Sequence, residues 1–241
     1  MVRTDLKARY HGTIGGFVWA LLKPLAMFVV LFSVFSLVFQ SDPQYKVNLI
    51  IGLFLFEFFS EGTKVGLTSL WMKGYLLTKV RFPAWVVVVS SAANAVLTLG
   101  VFIVIITVFV AATRGLPHPA GFLLFLGYLV LYFLMVVGIS LTTSVLFLRY
   151  RDLNQVWDVI MQAGLFFAPI IYPLEMVPAQ YRTILFLWPP TPIVHYSRAV
   201  LVGQQWPSAS DHFWLLAQTT ALLTIGILVF RRYSPRAAEY L

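Results

Sequence analysis

Read for the spacing of apolar and polar side chains, the chain divides into six long apolar runs, at residues 17–39, 47–70, 84–112, 121–148, 153–173 and 213–230, separated by charged or proline-bearing connections. A hydrocarbon core about 30 Å thick is crossed by about 20 helical residues, so each run is expected to be a transmembrane helix. The second run is the least regular, because its apolar part ends near Phe59 and Glu57, Glu61 and Lys64 fall in the continuation. Charge at membrane depth survives only away from lipid, so this run is expected as one helix whose charged half packs against protein. The expected fold class is all-α integral membrane, a single domain over residues 1–241: an interface helix at 1–16, a six-span bundle at 17–230 and a tail at 231–241.

The connections carry their own patterns. Ahead of the first run, Val2, Leu6 and Tyr10 share one helical face and Arg3 and Lys7 sit beside Asp5 on another, which predicts a short amphipathic helix on the membrane surface. Gly12, Gly15 and Gly16 then permit the turn inward. The first run is too long for a cleaved leader and lacks a small-x-small site, so it is expected to be permanent. Residues 64–81 interleave Leu67, Leu70, Trp71, Leu76 and Leu77 with Lys73 and Lys79 and stop at Pro83, which reads as a short surface helix. Residues 174–212 hold little charge, yet set Ile184 to Trp188 in a row before Pro189, Pro190 and Pro192. One or two re-entrant or interfacial helices, broken at those prolines, are expected there.

Composition sharpens this. With 60% hydrophobic and 11% charged residues and a mean hydropathy of +0.85, the chain departs from soluble domains, which carry about 25% charged residues; a soluble globular enzyme is excluded. No cysteine is present, so disulfides, thiol nucleophiles and cysteine-ligated metals are excluded too. The net charge of +8 points to anionic headgroups rather than nucleic acid, there being no basic run with interleaved aromatics. Twelve Lys and Arg fall on the side of the N-terminus and four, Lys46, Arg114, Arg182 and Arg198, on the other. Both termini are therefore expected to be cytoplasmic.

Catalytic chemistry is missing from the pattern: there is no phosphate-binding Gly-Lys loop, nucleophile elbow, His-Glu-x-x-His pair or Asp-rich metal motif. His11, His118, His195 and His212 are isolated, so no metal site is expected. Ionisable residues within the runs mark function by default. Lys23 is close enough to the first run's start to snorkel to headgroups; Glu57, Glu61 and Lys64 suit either an ion-pair cluster or a substrate contact. Gln155, Asp158 and Gln162 form a polar stripe that either lines a pathway or bonds to another helix, and Ser90, Asn94 and Thr98 form one better suited to packing. Aromatic residues make up 16% of the chain. Most suit membrane interfaces, but Phe166, Phe167 and Tyr172 beside Pro169 and Pro173 offer faces on which sugar rings can pack.

Asp5-Leu6-Lys7-Ala8-Arg9-Tyr10, followed by Gly15-Gly16 and Trp19 through Lys23-Pro24-Leu25, resembles the opening of type-2 ABC (ABC-2) transporter permeases, closest to the polysaccharide-export branch. Leu77-Thr78-Lys79-Val80-Arg81-Phe82-Pro83, Arg149-Tyr150-Arg151-Asp152 and Phe166-Phe167-Ala168-Pro169-Ile170-Ile171-Tyr172 follow in the family's order. The resemblance implies an exporter permease for O-antigen, capsule or teichoic acid: a homodimer with two separate ATP-binding cassette subunits, moving an undecaprenyl-diphosphate-linked glycan out of the bacterial cytoplasmic membrane. ATP and magnesium would belong to the partner subunit, with no cofactor or catalytic residue in this chain. Arg3, Lys7 and Arg9 would meet headgroups at the inner mouth. Trp19, Lys23, Phe28, Asp158, Gln162, Phe166, Phe167 and Tyr172 would line the path. Coupling to the ATPase would use a helix over about 64–79 (Lys64, Leu67, Leu70, Trp71, Lys73, Lys79) and the Arg149, Arg151, Asp152 turn. Outer gate helices over about 178–202 would present Tyr181, Phe186, Trp188, Pro190, His195 and Tyr196. The alternatives are an ABC-2 exporter of drugs or small lipids, and an ion-coupled carrier using Glu57, Glu61 and Asp158; an intramembrane enzyme lacks the clustered acid, base or metal set it needs.

Overall fold

A computed structural model describes residues 16–39, 43–74 and 83–235, and every regular element among them is helical. The six-residue motif from Asp5 to Tyr10, the inner-mouth residues Arg3, Lys7 and Arg9, and Lys79 lie outside the described residues. Helix α1 spans Gly16–Phe35 and α2 Tyr45–Met72. Helix α3 spans Ala84–Arg114 and α4 Pro119–Arg149. Helix α5 is Leu153–Phe167, followed by the short α6, Ala179–Phe186, and α7, Pro190–Arg198, and then by α8, Ala209–Tyr233.

Three of these, α3, α4 and α8, are long and apolar enough to cross a membrane. Local signals set their ends. Pro119 occupies the first turn of α4, where its missing N–H costs nothing, and His118 Nδ1 accepts the Ala120 N–H at 3.3 Å. Ser208 and Asp211 cap α8 reciprocally. On α3, Val88, Ala92, Ala95, Leu99, Phe102, Ile106 and Val110 form one buried stripe, while Val104 and Val108 face outward. Thr98 and Asn94 are buried with that stripe. On α4 and α8 the backbones touch: a Cβ on Gly138 would sit 2.7 Å from the Leu222 carbonyl oxygen, so only glycine fits this crossing.

Helix α2 is the mast of the bundle. Leu49, Ile50, Ile51, Phe54, Leu55, Phe58 and Phe59 are all fully or almost fully buried, the sign of a helix surrounded on every side. Its charges occupy a single face, Glu57, Glu61 and Lys64 recurring at one helical repeat, and that face turns to α1 and α5. The stretch from Lys64 was expected to begin a surface helix; instead α2 continues unbroken to Met72, and Leu67 and Leu70 are fully buried within it. The core contacts of Leu67 and Leu70 override the basic residues around them. Helix α1 lies at the edge, resting on the core through Leu21, Leu25, Phe28 and Phe32 while Trp19, Val30 and Val34 are exposed.

The fifth run is not one helix. Helix α5 has 15 residues, about 22 Å at the α-helical rise. It ends at Ala168, whose ψ of 136° is the extended conformation that a following proline, Pro169, imposes. An irregular segment of turns and bends, followed by a 3-10 turn at Leu174–Met176, then extends the chain to Tyr172 and Glu175 beside Gln44 and Tyr45, at the opposite end of α2 from Lys64. From there α6 and α7 form a hairpin that turns back into the bundle. Its tip holds Trp188, whose ring meets Phe59 edge-on at 5.7 Å and covers Gly164 of α5. Gln218 Nε2, well inside α8, donates to the Leu187 carbonyl at 2.8 Å. The break falls at Trp188–Pro189; Pro190 and Pro192, expected to interrupt helix, form the first turn of α7, where proline is tolerated.

Candidate functional site

Helices α1, α2 and α5 enclose a cavity of about 930 Å³ along one flank of the bundle. Trp19, Leu22, Lys23 and Met27 of α1 form one wall, Leu53, Phe56 and Glu57 of α2 the floor, and Asp158, Gln162 and Leu165 of α5 the other wall. The sequence pattern thus brings Trp19, Lys23, Asp158 and Gln162 to one place. Phe28 is not among them: it stacks on Phe32 at 5.7 Å and meets Phe109 of α3 edge-on at 6.0 Å.

Two ion pairs cross this groove. Lys23 Nζ lies 2.7 Å from Glu57 Oε1, tying α1 to α2, so this lysine reaches a carboxylate rather than snorkelling alone. Lys64 pairs with Asp158, tying α2 to α5, and donates to the Asn154 carbonyl at 3.2 Å. Trp157 Nε1 adds a bond of 3.0 Å to Thr63 Oγ1. Partners 34 and 94 residues apart were invisible to local spacing. The groove is therefore an apolar surface with charge-neutral polar rungs; Phe166 and Phe167 are exposed at the end of α5, and neither they nor Tyr172 line it.

Beyond α5, three side chains saturate the backbone that the helix break leaves open. Tyr172 Oη donates to the Phe166 carbonyl at 3.1 Å and also to that of Phe167. Arg198 Nη1 and Nη2 donate to Pro169 and Ile170 at 2.7 and 3.0 Å, and Tyr45 Oη to Ile171 at 3.0 Å. Arg198 Nε also bonds the Asn48 carbonyl at 2.9 Å. One guanidinium at the end of α7 thereby joins α2, the irregular segment and the hairpin. Non-helical backbone at membrane depth requires such internal partners. A Cβ on Gly52 would come 2.6 Å from Arg198 Nη2, so the glycine makes room for the fork. Sequence reading counted Arg198 as a loop residue and passed over Gly52 and Gln218; the available signal was one arginine and one glutamine inside almost uncharged stretches.

Around the hairpin, Phe186 meets His195 at 5.4 Å and Tyr196 at 6.1 Å, Pro190 and Tyr196 are buried, and Tyr181 is exposed. Burial, and then the neighbouring Arg198 charge, pushes the His195 pKa below the ordinary imidazole range. At the basic end of the bundle, Arg151 lies 3.3 Å over the exposed Trp71 ring, Lys73 Nζ bonds Ser91 Oγ at 2.9 Å, and Arg149 and Asp152 flank the α4–α5 turn. Among the described residues no three His, Asp or Glu side chains converge on a metal-sized site.

A bundle of long apolar helices defines a membrane-embedded protein, and the sequence places it: residues 1–202 match the ABC-2 type transporter family, to which the chain belongs. It is a multi-pass integral membrane protein. Among curated proteins it is similar to the O-antigen export system permease protein RfbA of Myxococcus xanthus, at 26% identity over 99% of this chain and 93% of that protein. RfbA of Klebsiella pneumoniae is 26% identical over 98% and 92%. The polysialic acid transport protein KpsM of Escherichia coli is 23% identical over 94% and 89%.

Proposed function

We propose that the chain is the permease subunit of an ABC exporter that moves a lipid-linked polysaccharide of the O-antigen type, carried on undecaprenyl diphosphate, outward across the bacterial cytoplasmic membrane. ATP and magnesium act in a separate subunit. The observation that carries this reading is the open-sided groove of α1, α2 and α5, half of a conduit that a second copy of the chain completes in a homodimer. The exposed flanks of α1, with Val18, Trp19, Leu22 and Val30, and of α5, with Val156, Val159 and Phe166, supply the surfaces for that copy. Six passes follow if α1, α2 and α5 with its irregular segment cross beside α3, α4 and α8, which leaves both termini with the Lys and Arg surplus on the cytoplasmic side.

Lys23 attracts the diphosphate at the inner mouth, exchanging Glu57 for a phosphate oxygen. Trp19, Phe166 and Phe167 give the glycan an aromatic wall that does not depend on sugar sequence. Trp71, Lys73, Arg149, Arg151 and Asp152 form the ATPase docking face, and the α6–α7 hairpin is the outer gate. The relatives, an O-antigen export permease and a polysialic acid transport protein, support this substrate class. Pairing of Glu57 and Asp158 with lysines supports it over an ion-coupled carrier, whose carboxylates must be available to the coupling ion. The test is affinity purification of the tagged chain followed by vanadate-sensitive ATPase measurement, together with deletion of its gene. A stoichiometric ATP-binding subunit, and loss of surface polysaccharide with lipid-linked glycan accumulating inside, is expected. A preparation free of ATPase overturns the reading.

A further inference from the structure

A second cavity, of about 340 Å³, lies at the other end of the bundle from the basic residues, between the first turn of α2, the irregular segment after α5 and the end of α7. Its walls differ from everything around it. Gln44, Asn48, His195 and Gln205 present amide and imidazole groups, Tyr172 an aromatic ring, and Glu175 a carboxylate. In a chain that is 60% hydrophobic, this is a concentrated set of hydrogen-bonding groups, of which Glu175 alone is an acid. The size is toward the lower end for small-molecule sites, about 300 to 1,000 Å³. Arg198 also borders the cavity, but its guanidinium is engaged by the carbonyls of Asn48, Pro169 and Ile170. One histidine with one carboxylate makes a poor cation site, and a polar wall makes a poor acyl-chain site.

The chemistry that fits is a ring with hydroxyls around its edge and C–H groups on its faces: amides exchange hydrogen bonds with the hydroxyls, and the tyrosine ring receives a face. The Asn48 carboxamide oxygen has no hydrogen-bond donor among the described residues, and the cavity it borders is where one can arrive by rotation about its soft χ2. We infer that this cavity binds one or two neutral pyranose units, an exit-side sugar site in each copy of the chain, separate from the groove. The wall is shared between α2, the irregular segment and the α7 end, so an occupied site links the hairpin to the two helices that build the groove. The inference rests on the polysaccharide-export reading only for the source of the sugar.

The test is saturation-transfer NMR on the full chain in lipid nanodiscs with the methyl glycosides of glucose, galactose, mannose, rhamnose and N-acetylglucosamine. At least one glycoside is expected to receive saturation above an empty-nanodisc control. Asn48→Leu and Gln205→Ala, each verified as folded by its melting temperature, are expected to reduce that signal at least fivefold, while Val104→Ala on the outward face of α3 leaves it intact. Gln205 is exposed, so its variant keeps the test valid if Asn48→Leu fails to fold. Absence of transfer to all five glycosides, persistence in both cavity variants, or loss in Val104→Ala overturns the inference. Transfer that depends on Asn48 and Gln205 supports the site even if gene deletion leaves surface polysaccharide unchanged, in which case it is the export reading that falls.

Discussion

Arg198 offers the sharpest test of how this bundle tolerates broken helix inside a membrane. Replacing it with Met keeps an unbranched side chain, two atoms shorter, and removes three donors at once, from the carbonyls of Asn48, Pro169 and Ile170. Hydrogen bonds between side chains in membrane proteins average about 0.6 kcal/mol each, whereas bonds to charged groups in proteins contribute about 1.5 kcal/mol or more. For three bonds these limits bracket a loss of about 2 to 5 kcal/mol. At about 2 to 4 °C per kcal/mol for a chain of this size, the melting temperature of Arg198→Met falls by roughly 4 to 20 °C. The assay is the loss of the monodisperse chromatographic peak on heating the detergent-solubilised protein. Arg198→Lys retains charge but concentrates its donors on one atom, so it is expected to recover less than half of the loss. Arg114→Met, at the exposed end of α3, is the control and is expected within about 2 °C of the parent protein by the usual size of surface effects, about 0.5 kcal/mol or less. A drop for Arg198→Met no larger than that of the control refutes the role of the guanidinium in holding the break.

The other predictions use the same structure. The Lys23 side chain is 72% exposed, so Lys23→Ala is expected to change stability by less than about 1 kcal/mol while lowering export of glycan to the cell surface; the double reversal Lys23→Glu with Glu57→Lys is expected to keep the melting temperature but not export. Trp71→Ala and Arg151→Ala break the stacked pair at the basic end and are expected to lower recovery of the ATP-binding subunit in a pull-down without moving the melting temperature by more than about 3 °C. Gln218→Leu strips the hairpin tip of its donor to Leu187 and Phe186 and is expected to increase cleavage by added protease between α6 and α7. Tyr132 is fully buried and its hydroxyl has no partner among the described residues, so Tyr132→Phe is expected to leave stability unchanged or raise it by about 1 kcal/mol in the same melting assay.

What could be read along the chain and what could not divides along a physical line. Helices α3, α4 and α8 were expected within a few residues of where they lie, because a long apolar run without charge has one stable state in lipid and Pro119 and Ser208 mark its ends by local chemistry. The groove was legible in part: Lys23, Asp158 and Gln162 stood out as polar groups in apolar runs, and three dimensions assembled them. Their partners were not legible, since Lys23 with Glu57 and Lys64 with Asp158 meet only when α2 is placed between α1 and α5. The charges that made α2 look like the weakest run mark the face it turns to those neighbours, and its other faces are the core. Likewise Leu67 and Leu70, which suggested a surface helix beside their lysines, are buried because α2 continues under α3 and α4.

The sequence by itself determined that lipid is the solvent, that apolar helices are the units, and that the outer connection breaks at Pro189. Those outcomes depend on hydropathy and on backbone sterics, which act within a few residues. Only the tertiary structure decided that the fifth run breaks, that a hairpin folds back to Gln218, and that Arg198 and Gly52 meet at the break. Exposed backbone in hydrocarbon has to be satisfied by whatever donor the fold brings near, and here Arg198, 29 and 28 residues from Pro169 and Ile170 along the chain, lies within one hydrogen bond of each in space while also holding Asn48 of α2, 150 residues away.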